Sequence, residues 1–200
     1  MIFDDYCSPD PLAIALLIIT AFIGSGVVHV IWLRHPLSKR FQIPLDRGRK
    51  FRGRRILGDN KTVRGLMAII PATGATFLGL ALLRPGLPPS FAEGLWELPV
   101  WSYAGLGLLA GIGFMAGELP NSFVKRQLGI APGDAPTSLP LRLATGLFDR
   151  IDSILGVLLI LTLVVPVPWE TWLIVLLLGP GIHFLFSASL YWFRVKERPA

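Results

Sequence analysis

The chain has little of almost everything that polar chemistry usually draws on. It has one cysteine, Cys7, which excludes an internal disulfide and any cysteine-based zinc site. Its three histidines, His29, His35 and His183, are scattered without metal-ligand spacing and read as structural. Charged residues fill only 16% of the 200 positions, against about a quarter in an ordinary soluble domain. No Ser-His-Asp arrangement, internal repeat or low-complexity tract is present. Such a chain holds one compact bundle and no sizeable soluble domain.

What is there is apolar. Hydrophobic residues make up 52% of the chain and the mean hydropathy is +0.60. They come in long runs rather than with the period of an amphipathic helix or a half-buried strand. Spanning the hydrocarbon core takes roughly 20 apolar residues in a helix. Five runs approach that length, at about 11–33, 66–83 (interrupted by Pro71), 100–116, 151–167 and 169–193. The fold class expected is therefore all-α integral membrane, a bundle of about five transmembrane helices forming one domain over residues 1–200. The tight Val165-Pro166-Val167-Pro168-Trp169 turn predicts a hairpin of the last two helices.

The charges orient the bundle. Of 19 lysines and arginines, eleven lie between Arg34 and Arg64 and four between Lys125 and Arg150. Three follow the last run at Arg194, Lys196 and Arg198, leaving Arg84 alone on the other side. By the positive-inside rule this predicts a multi-pass protein of the cell membrane with its N-terminus outside and its C-terminus cytoplasmic. The acidic start (Asp4, Asp5, Asp10) agrees. The first run is no signal peptide, because its positive flank follows it. Trp96, Trp101, Trp169 and Trp172 read as an aromatic belt at the outer ends. Gly105, Gly107, Gly111, Gly113 and Gly117 place the third helix in the middle of the bundle, where small residues admit neighbouring backbones.

Two cytoplasmic loops then remain, 34–64 and 118–150. The first is strongly basic, a topogenic loop that also suits anionic headgroups. Pro44, Gly48, Gly53 and Gly58 predict turns in it rather than one helix. It ends in Gly58-Asp59-Asn60-Lys61-Thr62, where backbone amides with Lys61 and Thr62 make a cradle for phosphate oxygens. It is not a Walker A loop, since the spaced glycines before the lysine are missing. In the second loop Glu118 is expected at the C-terminal end of the third helix, where the helix dipole opposes it. Asp149 and Asp152 are expected on one face at the N-terminus of the fourth helix, where capping explains one aspartate more readily than two. Three carboxylates beside many cations at a membrane surface suit Mg²⁺-assisted phosphoryl or nucleotidyl transfer.

The segment "SFVKRQLGI", a Pro/Gly-rich stretch and then "LFDRIDSILG" resemble the signature of CTP-dependent phosphatidate cytidylyltransferases. The first loop, "PLDRGRKFRGRRILGDNKTVRGL", and the five-helix size are more similar to CDP-archaeol synthase, the short archaeal branch of that superfamily. The resemblance covers about 44–156 and rests on two separated motifs in the same order. It implies a reaction in which CTP and a lipid phosphate give a CDP-activated lipid and pyrophosphate, with Mg²⁺ as cofactor. It implies that Asp149, Asp152 and Lys125 are catalytic, with Asp149, Asp152 and Glu118 on the metal. Lys61, Thr62, Ser122, Arg126 and Arg150 then contact substrate. The family pattern has aspartate where Glu118 stands, and often glycine where Asn60 stands. The partners implied are CTP, a lipid phosphate (phosphatidic acid or an archaeal-type analogue), the membrane, and a second copy of the chain as a homo-oligomer. The alternative is a non-catalytic member of the same fold that binds anionic lipid or nucleotide. A transporter is disfavoured, since no ionisable residue sits at a helix midpoint. Nucleic acid is not expected, because topology already accounts for the charge.

Overall fold

A computed structural model of the chain describes residues 9–134 and 136–192. Asp4, Asp5 and Cys7 lie outside the described residues, as do Arg194, Lys196, Arg198 and the side chain of His183. Five long helices account for most of the rest: α1 (Pro11–Arg34), α2 (Val63–Leu83), α4 (Val100–Gln127), α5 (Leu139–Thr162) and α6 (Trp169–Trp192). A short helix, α3 (Pro89–Glu93), joins α2 to α4. Helices α1, α2 and α4 are each long and apolar enough to cross a membrane. Helix α6 is apolar over Trp169–Ile182, and the charges of α5 all lie before Ser153, leaving its C-terminal part apolar. This is the all-α membrane bundle expected.

The long helices close into a ring in the order α1, α2, α4, α5, α6 and back to α1. Polar clamps fix two of its seams. Ser25 meets Thr76 at 3.1 Å, and Thr76 also donates to Ala21 O. Thr171 donates to Pro11 O at 3.0 Å. Each hydroxyl finds a partner inside the bundle, as apolar surroundings demand. Ile14, Leu17, Phe77, Tyr103, Leu106, Leu158 and Leu161 fill the centre. The α5–α6 connection is short and forms the expected hairpin.

Two helix ends depart from the sequence reading. Helix α4 runs to Gln127 rather than stopping near 116, with Pro120 inside it. Helix α5 starts at Leu139 rather than near 151, behind Ser138 as its N-cap residue and with Pro140 in its first turn, a favoured place for proline. Hydropathy marks only the lipid-facing part of a helix, so polar turns beyond the hydrocarbon went unread. The connection between the two helices is therefore 128–138, and most of the segment read as a loop over 118–150 is helical. Trp96 is also corrected: it is buried, its indole donating to Pro166 O at 2.7 Å. Trp101 and Trp169 are exposed, as a belt requires.

The first loop folds against the same end of the bundle. A hairpin pairs β1 (Lys50–Phe51) with β2 (Arg54–Arg55). Pro44 bridges to Thr62, and Leu45 N donates to Lys61 O at 2.8 Å, so the loop closes where α2 begins.

Candidate functional site

The site is built where α4 crosses α5. A side chain at Gly156 would lie 2.0 Å from Gly113 O, and one at Gly117 would lie 2.3 Å from Asp152 O. Only hydrogen fits, so the two backbones touch. On the α2 side, Gly107 and Gly111 abut Thr73 O and the Ile70 backbone in the same way. Helix α4 is thus the central helix that its glycines predict, although Gly105 faces open space.

The crossing brings one face of α4, carrying Glu118, Asn121 and Lys125, against Asp149 and Asp152 of α5. These α4 positions follow the three- and four-residue spacing that aligns side chains along one helical stripe. The Asn121 amide nitrogen donates to Asp149 Oδ1 at 2.7 Å and to Asp152 Oδ2 at 2.8 Å. Lys125 is ion-paired with Asp149. Glu118 is ion-paired with Lys61 from the first loop. Neither aspartate caps a helix, because both stand far inside α5. Capping therefore explains neither of them.

The loop that delivers Lys61 is tied down by Asp46. Its carboxylate accepts from Arg55 Nη2 at 2.7 Å and from the amides of Gly48, Leu57 and Gly58 at 2.9–3.1 Å. The Arg55 guanidinium, and then those three amides, hold the Asp46 carboxyl far below the usual carboxylate range against the opposing cost of burial. Gly58, at φ +88°, packs over Arg126 and Pro132, where a Cβ would meet Pro132 at 2.9 Å. Arg126 itself is buried, and its Nε and Nη1 have no hydrogen-bond partner among the described residues.

The structure thus brings together Lys61 of the first loop, Glu118 and Lys125 of α4, and Asp149 and Asp152 of α5. Arg126 sits beside this group beneath Gly58. Thr62 holds the N-cap position of α2, with no side-chain capping bond, which leaves its hydroxyl for another partner. Ser122 follows Asn121 on α4. Arg150 donates back to Gly146 O at 2.8 Å along its own helix. His35 accepts from Leu37 N, a structural role. Glu118 is not at a helix end but inside α4, paired with a lysine. Among the described residues no group of three or more His, Cys, Asp or Glu side chains is arranged to hold a metal ion. The expected set of three carboxylates is therefore not assembled as such. Asp149 and Asp152 do converge, on a single amide nitrogen. Two open pockets of about 310 Å³ lie elsewhere, one between α1 and α2 and one beside Leu98 and Val165.

Two residues escaped the sequence reading. Asn121 lies three positions after Glu118 and four before Lys125, so the helical period would have placed it on their face had α4 been carried past 116. Asp46 is one of only two acids among the eleven cations of 34–64, a signal that an internal ion pair was required.

Comparison with known proteins agrees with this architecture. Residues 41–199 match a family model described as CarS-like: CDP-archaeol synthase. A CDP-archaeol synthase of Halobacterium salinarum is 35% identical over 164 residues, 78% of this chain and 82% of that protein. One of Methanopyrus kandleri is 33% identical over 159 residues, 78% of this chain and 79% of that protein. One of Saccharolobus islandicus is 30% identical over 192 residues, 95% of this chain and 96% of that protein. A solved structure described as an intramembrane enzyme for archaeal membrane lipids biosynthesis superposes with a TM-score of 0.53 at 26% identity, covering 84% of this chain and 92% of the other. The chain belongs to the CDP-archaeol synthase family.

Proposed function

We propose that this member of the CDP-archaeol synthase family transfers CMP from CTP to the phosphate of a membrane lipid, releasing pyrophosphate. The observation that carries the reading is the cluster at the α4–α5 crossing. Two aspartates there share the Asn121 amide, with Lys125 on Asp149 and Lys61 brought in by a separate loop. In the step itself an oxygen of the lipid phosphate attacks the α-phosphorus of CTP and forms the new P–O bond. The bond from the α-phosphorus to the bridging oxygen breaks, and pyrophosphate leaves with that electron pair. The nucleophile is already anionic, so the protein's task is positioning and charge neutralisation.

Lys61, Lys125 and Arg126 suit that task. Arg126 carries two buried nitrogens without a partner among the described residues, a costly state that a phosphate oxygen would relieve. Thr62, Ser122 and Arg150 stand close in sequence to these groups as further phosphate donors. Asp149 and Asp152 are the residues that would hold Mg²⁺, which binds through one or two carboxylates plus substrate phosphates. When bound, the ion would neutralise charge on the triphosphate. An ammonium and an amide occupy these carboxylates in the structure, which is the compensation expected for a pair that receives a cation. Glu118 serves to hold Lys61 in place.

The relatives named above act in archaeal lipid synthesis by their names, which favours an archaeal-type lipid phosphate over phosphatidic acid. The basic end of the bundle faces the cytoplasm, where CTP is made, with the N-terminus outside. The test is incubation of the purified protein with CTP labelled in its α-phosphate, Mg²⁺ and each lipid phosphate in turn. Label should pass into the organic phase. If none does with any lipid, in protein that remains folded, the binding-protein alternative replaces the enzyme.

A further inference from the structure

The basic loop divides into two parts that face different ways. Lys61 pairs with Glu118, and Arg55 is consumed by Asp46 and Asp59. Five other cations, Arg47, Arg49, Lys50, Arg52 and Arg54, are exposed and have no carboxylate partner among the described residues.

The hairpin that carries them rests on the far side of α4. The Phe51 ring packs tilted against Phe123, with centroids 5.8 Å apart, and Gln127 Nε2 donates to Arg55 O at 3.2 Å. Positions 123 and 127 form one stripe of the helix, whereas Glu118, Asn121 and Lys125 form another. At about 100° per residue the two stripes are roughly opposite. These five cations therefore do not neutralise a nucleotide held at Asp149 and Asp152.

Their placement also runs against local preference. Arg47-Gly48 and Arg52-Gly53 are both at positive φ, 47° and 80° in the first pair and 48° and 78° in the second. A two-residue turn with both central φ values positive favours asparagine, aspartate or glycine at its first position. The chain puts arginine there twice, holding a cation at each tip against the local backbone preference. The depth is suited to headgroups. The apolar part of α4 ends near Ala116, and Phe123 lies seven residues beyond, about 10 Å along the axis. That is just past the hydrocarbon, at the level of the polar interface. Half-exposed Phe51 stands at the same level.

We infer that the 47–54 hairpin is an anionic-lipid binding surface, separate from the nucleotide site, which gathers phosphate-bearing headgroups of the adjoining leaflet around the protein. Arginine and lysine near such a surface each add attraction that salt screens over a Debye length.

The test uses the full chain in phosphatidylcholine bilayers with spin-labelled phosphatidylglycerol or spin-labelled phosphatidylcholine as the probe. The readout is the fraction of each probe immobilised at the protein. Phosphatidylglycerol offers a phosphodiester and is not a nucleophile of the proposed reaction, so the result does not depend on turnover. Wild type should prefer it by about fivefold at low salt, falling towards unity near 1 M salt. A variant with R47Q, R49Q, K50Q, R52Q and R54Q should lose the preference at every salt concentration. One with R47K, R49K, R52K and R54K should keep it. Because removing charge could disturb insertion, the separate pairs R47Q/R49Q and R52Q/R54Q are measured as well, and each should lower the preference part-way. Absence of a wild-type preference, or its survival in the five-fold glutamine variant, would overturn the assignment.

Discussion

The Lys61 ammonium and the Glu118 carboxylate form an ion pair that spans 57 positions of sequence and fastens the first loop to the middle of α4. Both side chains are about four-fifths buried, so neither is a mere surface partner. In the proposed reaction Lys61 meets phosphate and Glu118 aims it. Lys61→Ala should lower kcat/KM about a hundredfold, as for loss of a group that stabilises developing charge. Glu118→Ala should cost about tenfold, mostly in KM for CTP. Because one residue acts through the other, the double variant should be little worse than Lys61→Ala alone. Additive losses in steady-state kinetics would show that the two act separately. Glu118→Asp retracts the carboxylate by one methylene and should fall between wild type and Glu118→Ala.

Asp149 and Asp152 separate an enzyme from a binding protein. Each is replaced by asparagine with nearly unchanged shape. Either substitution should reduce CTP turnover a hundredfold or so, and the loss should deepen at low Mg²⁺. Thermal unfolding in detergent should shift little, because neither residue caps a helix. Wild-type turnover in both variants would sink the metal assignment.

How much of this could be read from the residues varies along the chain. Lipid requires long uninterrupted apolar runs, so the number and order of the helices were visible, and charge asymmetry separated the basic loops from Arg84. The ends of α4 and α5 were hidden. Residues 117–127 keep the helical period but lose hydropathy, and Pro120 reads as a breaker. Asp149 and Asp152 were singled out by their spacing and by family resemblance, yet their shared partner Asn121 was not, since it required α4 to continue. Trp96 was misplaced because sequence cannot show that its indole has an internal acceptor.

The α4–α5 contact makes a packing prediction with its own control. At Gly156 an added methyl would strike the Gly113 carbonyl at 2.0 Å, and at Gly105 it would meet nothing within 4 Å. Gly156→Ala should destabilise by about 2 kcal/mol or more through overpacking. It should also lower activity, because the same crossing sets Asn121 against the aspartates. Gly105→Ala should be neutral in thermal melts and in turnover. Equal behaviour of the two variants would contradict the close approach.

Asp46 connects pH to the shape of the loop. Its side chain is 1% exposed, and Arg55 with three backbone amides holds its carboxyl far below the usual carboxylate range. A group whose folded pKa is depressed stabilises the fold above its unfolded value, near 4. That contribution is lost as pH falls from there towards the folded pKa. Loop order, followed by limited proteolysis within 44–62, should therefore be flat from about pH 8 to 5 and weaken below about pH 4. Asp46→Asn removes the charge that Arg55 pairs with, and its amide can accept only part of the donor set. Cleavage should be faster at neutral pH, and its acid dependence should shrink. Lys61 stands three residues after Gly58, whose amide Asp46 holds, so the same variant should raise KM for CTP about tenfold. Asp149 and Asp152 stay untouched, so kcat at saturating CTP should fall much less. Proteolysis of Asp46→Asn that matched wild type across the whole pH range would show that the loop is held by other contacts.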